Sequence, residues 1–390
     1  MRAGRTSIFC IIIFRMARCR KVHFAHLLVL TLLTAATLFA HAQTDQPVRV
    51  VIVGLEHGHV DGFLHAFPRQ HEAELVGIVD ADPALRAKVE QKFNLDHSLF
   101  YATLDEAIAA RHPQAVLVYT SVGGHRKVIE AAAAHGLDVM VEKPLTLSVA
   151  DALAIRKAAR EHHIQVMVNY ETTWYSSNKA VMDMVEQGKL GDVHKVVVHD
   201  GHEGPKEIGV QPEFLKWLTD PVQNGAGALY DFGCYGADLM TVMMHGEVPV
   251  SVTAVSQTNK PETYPHVDDD ATIIVRYPKT QAVLMPSWDW SFARKDMEIY
   301  GTKGIAVAID PTRYSTRFTY KEVPTPTTAT PLPAPEDTSL HYLTAVVRKQ
   351  LAPKGDLTSL DTNMVVMQIL DAARQSATTG KTIQLHPLPN

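Results

Sequence analysis

From Val48 onward the chain alternates short apolar runs with amphipathic stretches. VRVVIV (Val48 to Val53), ELVGIVD, AVLVY, LDVMV and IQVMV are nearly unbroken apolar runs, as expected of strands buried on both faces of a parallel sheet. Between them stand PALRAKVEQKF, HRKVIEAAAAHG and SVADALAIRKAAREHH, which have helical spacing. This alternation predicts an α/β first domain over residues 47–168, a doubly wound parallel sheet.

Past Val168 the rhythm changes. One helix-like stretch (Ser177 to Gln187) and one strand (Val193 to His199) precede a second helix from about Phe232 to His245. Strands follow near 250–257, 271–277, 281–288, 295–301 and 304–309, with the alternation of a sheet covered on one face. Residues 169–390 therefore read as an α+β domain with a large, mostly antiparallel open sheet. VPTPTTATPLPAPEDTS is expected to be an irregular surface excursion. The helical stretches after it (His341 to Leu351, Asp361 to Ala377) are candidates to pack back on the first domain.

The first 42 residues carry six basic side chains, no acidic ones and an apolar run from Leu27 to Ala40 that ends in Ala40-His41-Ala42. This is the pattern of a signal peptide cut after Ala42, with Met16 as an alternative start, and the run is too short to span a membrane. Export to the periplasm or medium is expected, with no membrane attachment after cleavage. Cys10 and Cys19 lie in this leader, so Cys234 alone remains and no disulfide forms within a mature subunit. The net charge of −5 becomes more negative once the basic leader is removed, which disfavours nucleic acid as a partner.

The first apolar run enters VGLEHGHVDG. Against the dinucleotide pattern G-x-G-x-x-G only Gly54 fits. Glu56 and His59 take the second and third glycine positions, and Gly58 comes one residue early. Asp80 ends the second run, placed to accept bonds from an adenosine ribose or, with Asp82, to cap the helix starting at Pro83. Ala81 follows with no adjacent arginine, favouring NAD over NADP. His57 and His59 flank a glycine but lack a third ligand at useful spacing, so no metal is expected and the imidazoles are left to backbone or phosphate. In DVMVEKPLTLS, Pro144 restricts Lys143 to extended backbone and holds Glu142 and Lys143 at the carboxyl end of the sheet, where ligands bind.

VEKPL, NGAGALYDFGCYGADL, EIYGTKGIAV and ILDAARQSATTGKTIQL together resemble the Gfo/Idh/MocA oxidoreductase family, from Val48 to about Leu385. The resemblance implies a Rossmann domain, an open-sheet domain that makes the contacts of a homodimer or homotetramer, and a nicotinamide between them. It makes Lys143 the family's Glu-Lys-Pro lysine, and Asp231 and Tyr235 the first and last residues of its second motif. Gly54, His57, Gly58, His59, Asp80, Thr120, Ser121, His125, Glu142 and Lys143 fall on the cofactor side. Many relatives carry histidine where Tyr235 stands. Asp231 and Tyr235, four apart, would share one helix face. A nearby ammonium would lower the phenol's pKa and make Lys143 and Tyr235 an acid/base pair, with Asp231 orienting the lysine or a substrate hydroxyl. Taken singly, these residues read equally well as a surface lysine, a helix cap and a core aromatic.

Tyr170 and Trp174 in NYETTWYSSN would face nicotinamide or substrate, or fill the domain interface. His202 and Trp217 are the candidates for sugar recognition, since hydroxyls need convergent polar groups and sugar faces stack on rings. Trp288 and Trp290 in SWDW share one side of a strand and read as core or subunit interface. The expected function is an exported NAD(P)-dependent oxidoreductase acting on a sugar, sugar acid or cyclic polyol. The alternatives are redox-assisted glycoside cleavage and non-catalytic sugar binding.

Overall fold

A computed structural model of the chain describes residues 46–389. The leader expected over residues 1–42 lies outside the described residues. Everything from Val48 onward forms one compact unit.

Along the chain run β1 (Val48–Val53), α1 (His59–Ala66), β2 (Ala73–Val79), α2 (Pro83–Phe93), β3 (Phe100–Tyr101), α3 (Leu104–Arg111), β4 (Ala115–Val118), α4 (Val122–Ala134), β5 (Asp138–Glu142), α5 (Val149–His162) and β6 (Val166–Asn169). The six strands form one sheet in the order β3-β2-β1-β4-β5-β6, every pair parallel. The unbroken apolar runs follow from burial on both faces. Val50 and Ile52 pack with Leu64, Val89 and Leu343, whereas Val51 and Val53 pack with Ile129 and Ile155 on the other side. The order reverses between β1 and β4, which opens a crevice at their carboxyl ends. Helix starts are capped locally: Thr103 and Glu106 form a capping box on α3, Asp82 caps α2 and Ser148 caps α5.

The chain continues through α6 (Ser176–Glu186), β7 (Val193–Gly201), α7 (Pro212–Leu218), α8 (Pro221–Asn224), α9 (Ala228–Asp231) and α10 (Gly233–Met243). Next come β8 (Ser251–Gln257), β9 (Asp270–Arg276), β10 (Gln281–Ser287), β11 (Arg294–Gly301), β12 (Ile305–Ala308), β13 (Arg313–Arg317) and β14 (Thr327–Thr328), then α11 (Ser339–Val347), α12 (Leu360–Thr379) and β15 (Ile383–Gln384). Nine strands make the second sheet, in the order β14-β13-β12-β11-β7-β10-β9-β8-β15. Only β7 and β10 run parallel. Its inner face joins the core of the first sheet: Tyr235, Ile273 and Leu370 belong to the same cluster as Val51 and Ile155. α11 lies on the first sheet through Leu340, Leu343 and Val346, and Val168 donates its N–H to Thr358.

Two local expectations change. The helix predicted from about Phe232 to His245 is α10, and an unpredicted short helix, α9, precedes it; the two meet at Phe232, whose φ/ψ of −109°/−27° ends α9 and starts α10. The Pro/Thr-rich segment contains β14, which pairs with β13 through Thr327 and Thr328. No helix of the described residues is long and apolar enough to cross a membrane.

Candidate active site

β5 delivers Glu142 and Lys143, both buried, to the crevice, and the Lys143–Pro144 bond is cis. Facing them is Asp231, at the end of α9. That short helix is set by Asp268, whose carboxylate accepts the N–H groups of Gly227 (2.9 Å) and Leu229 (2.7 Å). Glycine is required at 227, because a Cβ there would lie 1.7 Å from the Asp268 carbonyl oxygen. The Lys143 ammonium donates to the backbone oxygen of Asp231 (2.9 Å) and to its Oδ1. Trp288 Nε1 donates to Oδ2 (2.9 Å), so both carboxylate oxygens are held. Burial works against both charges, but the pair overcomes it. Asp231 lies below the usual carboxylate range and Lys143 above the usual lysine value.

Tyr235 is placed differently from expectation. Its ring lies 5.0 Å from the Lys143 ammonium and 4.8 Å from that of Lys295, and its hydroxyl makes no hydrogen bond among the described residues. Burial first, then Cys234 and nearby carboxylates, push the phenol well above 10.0. Lys143 thus pairs with Asp231, and the proposed lowering of the Tyr235 pKa does not occur. The bend at Phe232 turns the ring's face, rather than its hydroxyl, toward the cations.

Tyr170 packs edge-to-face on Tyr235 (5.6 Å) and donates to Asn363 (2.8 Å), a buried support rather than a free contact. His202 sets its ring edge-on to Phe232 (5.0 Å), beside the Lys143–Asp231 pair. Its Nδ1 accepts the Gly204 N–H (2.8 Å), which leaves the proton on Nε2. Trp217 does not reach this site. α7 folds back over the first turn, so that Trp217 Nε1 donates to the Glu56 carbonyl (3.1 Å) and the ring packs on His57 (5.3 Å). Trp174 donates to Asn169 (3.1 Å) and packs on Tyr342 (5.8 Å).

At the first turn Gly54 has φ +92°, and a Cβ would come within 2.6 Å of Thr120, so only glycine lets β1 turn against the end of β4. Asp80 accepts from Leu55 N (2.8 Å) and Asp82 N (2.8 Å). It ties the turn, and Asp82 alone caps α2. The Glu56 carboxylate accepts the Ser121 N–H (2.6 Å) at the start of α4, which explains how an acid is accommodated here. Ser121 Oγ donates to Gln223 (3.0 Å). His125 is neutral, its pKa lowered to about 4 chiefly by burial. Its Nδ1 lies 3.2 Å from the carbonyls of Pro144 and Leu145 and so steadies the loop after Lys143. Gly58 lies under Phe214, 2.8 Å from a would-be Cβ. The residues expected on the cofactor side therefore gather at the switch-point crevice, where folds of this kind take a dinucleotide. The N–H groups that open α1 are bonded within the turn: His59 donates to His57 Nδ1 (3.2 Å), Val60 to the His57 carbonyl and Asp61 to the Gly58 carbonyl.

His59 Nδ1 lies 3.0 Å from Glu142 Oε2, and Asn169 donates to Glu142 Oε1 (3.0 Å). Burial opposes the Glu142 charge, but His59, Lys143 and Asn169 outweigh it and keep the carboxyl below its usual range. His59, Glu142 and Asn169, with Tyr119, Glu171 and Trp174, line a cavity of about 500 Å³.

Sequence reasoning missed three contributors. Trp288, expected in the core or interface, is fully buried and also holds Asp231. Lys295, paired with Glu171, lies beside the buried Asp200 on adjacent strands. Burial pushes the Asp200 carboxyl well above its usual range, and its Oδ1 has no partner among the described residues. An apolar run ending in an acid, as in VVVHD, was a usable signal for Asp200. Nothing local marked Lys295.

Two family models match the chain: "Oxidoreductase family, NAD-binding Rossmann fold" over residues 48–170 and "GFO/IDH/MocA C-terminal domain" over 178–307. Among curated proteins it is similar to the trans-1,2-dihydrobenzene-1,2-diol dehydrogenase of Xenopus tropicalis, 25% identical over 77% of this chain and 89% of the relative. The human enzyme of that name is 24% identical, over 74% and 81%. Among solved structures it is similar to an aldose-aldose oxidoreductase from Caulobacter crescentus complexed with glycerol (TM-score 0.74, 22% identity, 87% of this chain and 100% of that one). It is also similar to an inositol dehydrogenase homologue from Azotobacter vinelandii complexed with NADH and myo-inositol (TM-score 0.73, 20% identity, 87% and 98%).

Proposed function

Because the chain belongs to the Gfo/Idh/MocA family of NAD-binding oxidoreductases, we propose that it catalyses hydride transfer at a CH–OH carbon of a sugar, sugar acid or cyclic polyol, with Lys143 as the proton-transfer group. The observation that carries this is the buried Lys143–Asp231 ion pair at the carboxyl end of β5. NAD, held by the first turn and the end of β5, would supply the hydride acceptor. As an ammonium, Lys143 gives a proton to the oxygen of a carbonyl being reduced. As an amine, it takes the proton of a hydroxyl being oxidised. Asp231 holds the lysine in place, and His202 offers its Nε2–H to a neighbouring substrate hydroxyl. Tyr235 forms the apolar floor beneath the cations. The relatives named for aldose, inositol and dihydrodiol chemistry support a substrate rich in hydroxyls.

The test is formation of reduced nicotinamide across a panel of sugars and polyols with purified protein and NAD. Lys143→Met should lower turnover by about 10²–10⁴-fold, the range for loss of a positioned acid/base group. Inactivity of the parent protein on the whole panel would refute the reading.

One observation favours redox-assisted glycoside cleavage as a second reading: Asp200, buried beside the site with an unpartnered Oδ1 and its carboxyl pushed by burial well above the usual range, is an acid that plain dehydrogenation does not require. Release of a chromogenic aglycone without net NADH separates the two. Non-catalytic sugar binding loses its motive, since the altered glycine turn is accommodated by Glu56 and Ser121.

Export and assembly complete the proposal. Mass spectrometry of the exported chain should find Gln43 as its first residue. The open face of the second sheet, with Val255 and Ile274 exposed, is proposed as the contact of a homodimer or homotetramer, testable by light scattering.

A further inference from the structure

In sequence the pair His57 and His59 lacked a third ligand. The fold supplies one from β5: the donor atoms of His57, His59 and Glu142 all lie within 4.8 Å of one another. We propose that these three side chains bind one divalent transition-metal ion, with Zn²⁺ the ion best matched to the donor set. Two imidazoles and one carboxylate form a catalytic-type zinc set that leaves a fourth position open. Ligand atoms around tetrahedral zinc stand about 3.3 Å apart, given metal–ligand bonds of about 2.0–2.1 Å. The 3.0 Å separation of His59 Nδ1 and Glu142 Oε2 is close to that spacing.

The surroundings are those of a metal centre. Asn169 donates to the second oxygen of Glu142 and is itself fixed by Trp174, an outer shell that orients the carboxylate. The His57 ring is set between Phe214 (4.7 Å) and Trp217 (5.3 Å). Lys143 lies close, but its charge is matched by Asp231, which leaves the Glu142 charge for the ion. His59 and Glu142 also line the 500 Å³ cavity, so the open position can receive a substrate oxygen. By contrast, the other three-donor cluster, His199, Asp296 and Glu298, already holds the Arg294 guanidinium on His199 and Asp296.

His57, His59 and Glu142 stand on the cofactor side of the crevice, so ion binding is measured on the protein without cofactor or substrate, where its failure is distinct from failure of the hydride-transfer reading. The purified full chain is equilibrated with Zn²⁺, dialysed and analysed for metal, and the experiment is repeated with Co²⁺ for its absorption spectrum. One ion per chain with a tetrahedral Co²⁺ spectrum is expected. His59→Ala, at a side chain 45% exposed and so tolerant of truncation, should weaken binding at least tenfold. Asn169→Ala, which leaves all three ligands, should weaken it by about 10–100-fold. His97→Ala, at a histidine on the surface of the first domain, should leave it unchanged. Substoichiometric zinc, or equal binding by the parent chain and His59→Ala, would overturn the site. A rise in Tm with Zn²⁺ in the parent chain but not in His59→Ala gives an independent readout.

Discussion

Lys143 and Tyr235 show how one contact reassigns a role. Sequence spacing suggested a phenol activated by an ammonium, yet the ammonium stands over the ring face and bonds to Asp231. Tyr235→Phe is therefore expected to keep activity within about tenfold, whereas Asp231→Asn should lose about 10²-fold or more, as a misplaced proton-transfer group does. Kinetics of the two variants check this directly, and a collapse in Tyr235→Phe would restore the tyrosine as the acid/base group. The charge state of Lys143 also sets a pH dependence. Its pKa is raised above 10.5, so the ammonium persists through neutral and mildly alkaline pH. Carbonyl reduction should then be insensitive to lysine deprotonation below pH 10.5, while alcohol oxidation should climb with pH without levelling off before that value. Initial rates in both directions across the alkaline range measure it.

At the scale of elements, α7 is the part whose placement reverses an expectation. Gln211 bonds Asp61, Glu213 pairs with Lys88, and Phe214 and Trp217 cover His57, so this short helix clamps the first turn from the side of the second sheet. Trp217→Phe removes the bond to the Glu56 carbonyl and part of the packing while keeping an aromatic ring. The KM for NAD should rise by about tenfold, the cost of about one hydrogen bond, with the KM for the sugar unchanged. The opposite split would return Trp217 to the substrate site.

For the whole molecule, buried acids divide by sign. Asp231 has a depressed pKa, so its contribution to stability is present above the unfolded value of about 3.9 and is lost as pH falls through the folded value. Asp238, inside α10, is the reverse case. Both its oxygens are buried without partners among the described residues, and burial raises its pKa well above 3.8. Between the unfolded and the raised folded pKa the unfolded chain ionises more readily than the folded one, so stability is lost as pH rises from the ordinary carboxylate range toward the folded value. Asp238→Asn removes that slope. Thermal melting should show the variant gaining on the parent chain from pH 5 to pH 8, and parallel curves would contradict the assignment.

Both sheets were legible along the chain, because a strand buried on two faces must be apolar throughout and one buried on a single face must alternate. The short helix α9 ahead of Phe232 was not, since it answers to Asp268, distant in sequence, gripping the N–H groups of Gly227 and Leu229. Glu142, Lys143 and Asp231 could be named from their motifs, which mark where backbone and charge are constrained locally. Their pairing could not, because which oxygen an ammonium meets depends on the packing of two sheets against each other. The same is true of Trp288 on Asp231, Trp217 on Glu56 and Glu142 beside His59. Local pattern is set by what each residue can bury, whereas partnership across long sequence separations is set by the geometry in which the buried faces meet.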